Sequence, residues 1–254
     1  MGGRLRATVN CDMGEGFSLY TIGDDAALMR TIHLANIACG FHASDFSIMD
    51  RTVQLAKTHG VRVGAHPSLP DRQGFGRREM AMEADELTAC LVYQIGALSG
   101  FLQHHGVPLN HIKPHGAIYG QTARDLTLAR AAVRTCVTFK VPLMGLAGTM
   151  HQRAAQEAGV PFIAEWFADL DYSEEGKLLI TKKHTPVTLS EVRKRVDVLL
   201  ETRQITTVGG LLPLGDDVEE VSICCHSDTP DAVQIAECVK AMVDGSNARI
   251  NMVP

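Results

Sequence analysis

A chain of 254 residues with 45% hydrophobic and 21% charged residues lies in the globular range, which excludes a disordered, collagen-like or coiled-coil protein. Its formal net charge of −5 gives no basic footprint for nucleic acid, and no run approaches the ~18 uninterrupted apolar residues of a membrane span. Seven irregularly spaced cysteines without a CxxC, and no apolar signal core behind Arg4 and Arg6, predict a reduced, cytoplasmic protein.

Short apolar runs alternate with longer amphipathic stretches, which predicts βα units around a parallel sheet. The first strand is placed at Ala7–Cys11 and leads through Asn10-Cys-Asp-Met-Gly-Glu-Gly16, carrying Asp12 and Glu15. The second, Leu34–Cys39, runs into Cys39-Gly-Phe-His42. Asp45 then has the form of an N-cap for a helix bearing Ile48, Leu55 and Ala56. The third, Val61–Ala65, ends in Gly64-Ala-His66-Pro-Ser68, and Gly74-Phe-Gly-Arg77-Arg78 follows; two guanidiniums can grip a carboxylate or phosphate. Leu87, Leu91, Ile95, Leu98 and Leu102, at steps of three and four, predict a helix from Ala84. The fourth strand, His111–Lys113, gives Lys113-Pro-His115-Gly116. The fifth is Pro142–Leu146, and the sixth, Phe162–Phe167, presents Glu165 and Asp169. Residues 170–187 fit no helix and read as an excursion, a hairpin with Glu175-Gly176 at its turn. Thr188-Leu-Ser-Glu191 has capping-box spacing before Val192, Val196 and Leu199. The seventh strand, Val221–Cys225, gives His226-Ser-Asp228, and Thr229-Pro230 reads as an N-cap followed by Pro at the first helical position.

In an open doubly wound sheet only strand ends at the switch point serve a ligand, whereas in a closed barrel all open onto one mouth. Polar groups after nearly every strand therefore predict a single (β/α) barrel domain over residues 1–254 with about seven parallel strands. Taken singly, these residues have plain roles: Asp45 as a helix cap, the glycines as turns, Cys11 and Cys39 as small strand-end hydrophobes. The coincidence of Asp12, His42, His66 and His115 at equivalent places points to function. Carboxylates and imidazoles from separate strands could bind a divalent cation, or act as acid, base and orienter without one. No HExxH or CxxC is present, and no GxxxxGK[ST] provides a nucleotide loop. Glu15, Asp169, His226 and the Arg77–Arg78 pair are assigned to substrate binding.

Together the segments resemble the LamB/YcsF family, which includes the A component of bacterial 5-oxoprolinase. The resemblance is carried by Val9-Asn-Cys-Asp-Met-Gly-Glu-Gly16, Ala35-Asn-Ile-Ala-Cys-Gly-Phe-His42, Gly64-Ala-His-Pro-Ser68 with Gly74-Phe-Gly-Arg-Arg78, Lys113-Pro-His-Gly-Ala117, Glu165-Trp-Phe-Ala-Asp169 and His226-Ser-Asp-Thr-Pro230. It implies a distorted, TIM-like barrel of the glycoside hydrolase and deacetylase type. It also implies ATP-dependent opening of 5-oxo-L-proline, or a similar small lactam, to L-glutamate with two partner subunits, B and C. Asp12, His42, Asp45, His66, Lys113 and His115 fall on the family's motif positions and form the expected catalytic set. Within it Asp12 and His66 are expected near the attacking water, His115 as acid and Lys113 on developing negative charge. Three places depart from the family pattern: Leu170 replaces an arginine, Leu179-Ile-Thr-Lys-Lys183 lacks another, and His226-Ser-Asp-Thr-Pro-Asp231 replaces His-Gly-Asp-Thr-Pro-Gly.

The rival readings are a metal-dependent deacetylase of an N-acetylated sugar and a non-catalytic, substrate-holding barrel. One barrel uses up the chain, so ATP binding is expected to depend on the partner subunits. A divalent metal and a homo-oligomer stay open. The excursion at 170–187, mixing Asp171, Glu174 and Glu175 with Lys177, Lys182 and Lys183, is the expected docking surface.

Overall fold

The computed structural model describes residues 5–179, 187–215 and 218–251. In chain order the strands are β1 (Arg6–Met13), β2 (Leu34–Ala38), β3 (Arg62–His66), β4 (Leu109–Ile112), β5 (Leu143–Leu146), β6 (Phe162–Phe167), β7 (Asp171–Tyr172), β8 (Leu178–Leu179), β9 (Gln204–Thr207), β10 (Gly210–Pro213) and β11 (Glu220–Cys224). Strands β1 to β6 and β11 form a closed, wholly parallel barrel in which β11 bonds to β6 on one side and to β1 on the other. Closure removes the unpaired edges that a doubly wound sheet keeps. The seven expected strands are these seven, each within two residues of its expected bounds.

Along β1 the apolar Ala7, Val9, Cys11 and Met13 alternate with the polar Thr8, Asn10 and Asp12, and both sets are buried. The period of two sends one set to the surrounding helices and the other to the barrel axis. The register then sets Asp12 beside Asn36, Asn36 beside Gly64, and Gly64 beside His111. Gly64 makes room for that imidazole, because a Cβ there would fall 2.2 Å from His111 Nε2. His111 Nε2 lies 2.7 Å from Asn36 Oδ1, and burial drives its pKa down to about 3. Asn36 donates to Asn10 Oδ1 at 2.8 Å, and Asn10 donates to Ser222 Oγ at 2.8 Å. Asn10, Asn36, His111 and Ser222 thus form a hydrogen-bonded polar network along the barrel axis that leads up to the mouth.

The helices are α1 (Asp25–Leu28), α2 (Phe46–His59), α3 (Ala84–His105), α4 (Ala117–Arg124), α5 (Leu126–Phe139), α6 (Met150–Ala158), α7 (Leu189–Thr202) and α8 (Ala232–Asn251). Helix α3 buries Leu87, Leu91, Ile95, Leu98 and Leu102, the stripe its spacing predicts. Helix α7 starts in the predicted capping box: Glu191 N donates to Thr188 Oγ1 at 3.3 Å, and Thr188 N to Glu191 Oε2 at 3.0 Å. The expected cap at Thr229-Pro230 is corrected. Asp231 adopts φ 60°, a left-handed conformation that interrupts the chain, so α8 begins at Ala232 and the Thr229 hydroxyl donates to Asp169 instead, at 3.2 Å.

The excursion contains the expected hairpin: β7 pairs antiparallel with β8, and Gly176 at φ 77° turns the chain between them. Phe167 N donates to the buried Tyr172 hydroxyl at 2.9 Å, pinning the hairpin to β6. Lys182 and Lys183, part of the expected docking surface, lie outside the described residues. No disulfide joins the seven cysteines. Among the described residues no helix is long and apolar enough to cross a membrane.

Candidate active site

At the C-terminal ends of the strands a small cavity of about 40 Å³ is lined by Asp12, His66, Lys113, His115, Arg77 and His226, with Tyr119, Phe167, Leu170 and Leu178 completing the wall. Leu170 and Leu178 bring the hairpin's inner side to the cavity.

The floor is an ion-paired chain. Lys113, just past β4, places Nζ 2.9 Å from Asp12 Oδ1 and 2.8 Å from Glu165 Oε1. Its remaining contacts are longer, 3.3 Å to Cys224 Sγ and 3.4 Å to Asn10 Oδ1. Asn36 donates to Asp12 Oδ1, and the Tyr119 hydroxyl to Glu165 Oε2, each at 2.8 Å. Burial alone would neutralise Lys113, but Asp12, Cys224 and Glu165 hold its pKa well above the usual ammonium range. Burial likewise opposes ionisation of Asp12, and His66 and Lys113 overcome it, keeping that carboxyl well below the usual range. A carboxylate held so strongly is a poor base and a good orienter.

Beside the floor three imidazoles meet Glu15. His42 and His115 stack with centroids 3.7 Å apart and an interplanar angle of 4°. His66 stands edge-on to both. His66 Nδ1 donates to the Lys113 carbonyl at 2.8 Å, and His115 Nε2 to the Phe75 carbonyl at 2.8 Å. Carbonyl oxygens only accept, so these bonds fix which nitrogen of each ring is protonated. The remaining nitrogens, His66 Nε2 and His115 Nδ1, face each other at 2.9 Å. His66 Nε2 is also 3.2 Å from Asp12 Oδ2. Glu15 Oε1 is 2.9 Å from His42 Nε2 and 3.4 Å from His115 Nδ1. Burial holds His42 and His115 well below the ordinary imidazole pKa and raises that of Glu15.

Across the cavity Asp169 binds His226, with its oxygens 3.0 and 3.1 Å from Nδ1, and accepts from His226 N at 2.9 Å. Burial works against a charged His226, yet Asp169 prevails and raises its pKa to about 9, so the ring carries a proton at neutral pH. Arg77 reaches the rim, paired with Asp228 at 2.8 Å and with a fifth of its side chain exposed.

Of the expected site residues, Glu15, His42 and Asp169 stand behind the cavity lining, and two more are placed elsewhere. Asp45 is the cap of α2: Oδ1 accepts from Ser47 N at 2.9 Å and Ile48 N at 3.0 Å, and Oδ2 from Ser18 N at 2.8 Å. Its oxygens are spent on backbone amides outside the cavity. Arg78 points outward and braces Asp71, with Nε 3.0 Å from both carboxylate oxygens. Asp71 also accepts from Gly74 N at 3.0 Å. The brace shapes a tight loop in which Phe75 and Gly76 take φ of 55° and 65°, aiming the Phe75 carbonyl at His115. A Cβ on Gly76 would lie 2.8 Å from His115 Cδ2. The expected two-arginine grip is therefore one arginine, Arg77.

The site also holds residues outside the expected sets. Glu165 and Tyr119 complete the floor, Phe167 supplies a wall, Phe75 packs edge-on against His42 and His115, and Asn10, Asn36 and His111 support Asp12 from below. The signal for the last group was the spacing of two that joins Asn10 to Asp12 and His111 to Lys113.

The family model described as the LamB/YcsF family matches residues 7–254. A protein named lactam utilization protein lamB, from Emericella nidulans, is 46% identical over 247 residues, covering 97% of each chain. A protein from Pseudomonas aeruginosa, named as a subunit of 5-oxoprolinase, is 41% identical over 246 residues, covering 95% of this chain and 96% of its own. The crystal structure of a lactam utilization protein from Thermus thermophilus superposes with a TM-score of 0.86 at 35% identity, covering 96% of this chain and 98% of the other.

Proposed function

The chain belongs to the LamB/YcsF family, and on that premise we propose that it is the lactam-opening component of an ATP-dependent 5-oxoprolinase, converting 5-oxo-L-proline to L-glutamate. The observation that carries this reading is a small cavity with a protonated His226 and Arg77 on its wall and rim, set above the Asp12–Lys113–Glu165 floor. The cationic groups of that lining suit a substrate with one carboxylate. A relative named as one subunit of 5-oxoprolinase supports partner subunits, the expected B and C. The seven unpaired cysteines suit the reducing cytoplasm as the compartment.

A five-membered lactam is a resonance-stabilised amide and a poor electrophile. Transfer of a phosphoryl group from ATP to the lactam oxygen, with ATP bound by the partners, activates its carbon. Water then adds to that carbon, the C–N bond breaks as nitrogen takes a proton, and a second water hydrolyses the resulting acyl phosphate. Arg77 holds the substrate carboxylate in exchange for Asp228. His226, not the expected His115, is the acid: it carries a proton at neutral pH, whereas His115 is held neutral and donates its N–H to the Phe75 carbonyl. Lys113 offsets developing negative charge by redirecting its longest contacts, those to Cys224 and Asn10. Asp12 and His66 line the wall on the side of the attacking water.

The test is glutamate release from 5-oxoproline by the chain alone and with its candidate partners, each with and without ATP. Turnover is expected only with partners and ATP, and Asp12→Asn is expected to lower it at least ~10²-fold. Lactam hydrolysis by the isolated chain would remove the partner dependence. Release of acetate from an N-acetylated sugar without ATP, and no glutamate in any arm, would replace the proposal by a deacetylase.

A further inference from the structure

We propose that Glu15, His42, His66 and His115 form a binding site for one divalent transition-metal ion, of the class that imidazole and carboxylate ligands hold. Each of the four offers one ligand atom, and these atoms all lie within 4.8 Å of one another. The closest approaches are 2.9, 2.9 and 3.4 Å. A tetrahedral ion with ~2.1 Å bonds spaces its ligands at about 3.4 Å, so the group needs only small adjustments to enclose one.

The proton count gives the second argument. A neutral imidazole has one N–H. His66 and His115 both spend theirs on backbone carbonyls, of Lys113 and Phe75. Their other nitrogens then face each other at 2.9 Å, with Asp12 Oδ2 3.2 Å from His66 Nε2, so a positive species belongs there, either a second proton on His66 or a metal ion. Glu15 Oε1 and His42 Nε2 converge on the same place, a convergence that a metal ion uses and a proton does not need. Donation of the outer N–H to a backbone carbonyl is also the arrangement that fixes the tautomer of metal-binding histidines.

Charge supplies the third. With the Asp169–His226 pair balanced across the cavity, three buried carboxyl groups, Asp12, Glu15 and Glu165, stand with one buried ammonium, Lys113, an acidic surplus that favours a cation. The group is built for permanence, since all four side chains are nearly inaccessible and each stands at the end of a different strand or its following loop. His66 and His115 line the cavity while Glu15 and His42 lie behind them, so an ion held there faces the cavity between the two rings. Asp12, Cys224 and His226 also approach one another, but Lys113 Nζ already lies against Asp12 and Cys224, and an ammonium in that position excludes a second cation.

The test needs no turnover. The full chain is stripped with a chelator and titrated with cobalt(II). Uptake of one equivalent, with visible d–d bands, no thiolate charge-transfer band and displacement by zinc, is the expected result. Zinc-edge X-ray absorption on the wild type should show imidazole scattering from three histidines. Glu15→Gln and His42→Ala should each weaken cobalt binding at least ~10²-fold, beyond the usual cost of losing an outer-shell partner. His226→Ala should bind as the wild type does. No uptake by the wild type, a thiolate band, or loss of binding in His226→Ala would each overturn the proposal. The wild-type absorption spectrum decides it even where a variant fails to fold.

Discussion

Replacing Asp169 by Asn strips His226 of the charge that keeps it protonated. In the wild type burial pulls this imidazole down and Asp169 more than offsets it, giving about 9 against an ordinary 6.5. The net rise from 6.5 to about 9, at ~1.36 kcal/mol per pH unit, stabilises the protonated ring in the fold by ~3 kcal/mol. Because the folded pKa is raised, that stabilisation is complete below about pH 6.5 and is lost as the pH rises through about 9. In the variant burial acts unopposed, and His226 titrates at or below ~6.5. At pH 7.5 its protonated fraction then falls from nearly all to about a tenth or less. The cost in stability at pH 6 should be on the order of 3 kcal/mol, because the ring sheds its proton and does not remain as an uncompensated buried charge. Side-chain NMR titration reads the His226 midpoint directly, and urea unfolding at pH 6 and pH 9 reads the linkage. Turnover of the assembled enzyme at pH 7.5 should fall about tenfold and recover toward pH 6. A His226 midpoint still above 8 in the variant, or a wild-type stability that does not decline between pH 6.5 and 9, would refute the reasoning.

Lys113→Met leaves Asp12 and Glu165 buried without a counter-charge and should destabilise the fold by ~3–5 kcal/mol in urea unfolding; a loss below ~1 kcal/mol would show that the ammonium does not hold the floor together. Asp45→Ala removes the α2 cap and should cost ~1 kcal/mol while leaving turnover of the assembly unchanged, so a large fall in rate at unchanged fold would return Asp45 to the catalytic set. Gly64→Ala drives a methyl into the His111 ring and should cost ~1–3 kcal/mol by forcing that ring away from Asn36, measured by thermal unfolding; wild-type stability would disprove the close packing.

The barrel and its mouth were legible in the sequence because both are written in local, periodic signals. Apolar runs of strand length marked all seven barrel strands, and the polar residues at their ends named Asp12, His42, His66, Lys113, His115, Asp169 and His226 before any were seen together. Caps were equally local: Thr188 and Glu191 lie three residues apart and bond within one helical turn. The partners of those residues were not legible, since each is set by barrel register. Nothing near Lys113 in the chain indicates Glu165, and nothing near Asp12 indicates Asn36. Adjacent residues also diverge: Arg77 reaches the rim while Arg78 turns outward to Asp71, a choice made by the left-handed backbone at Phe75 and Gly76. The four-residue cluster around Glu15 depends on two carbonyls, of Phe75 and Lys113, whose positions follow from closure of the barrel. Sequence determined which chemical groups stand at the mouth, because period and capping act over a few residues. The tertiary structure decided which of them touch and where each proton sits, because those distances span strands far apart in the chain.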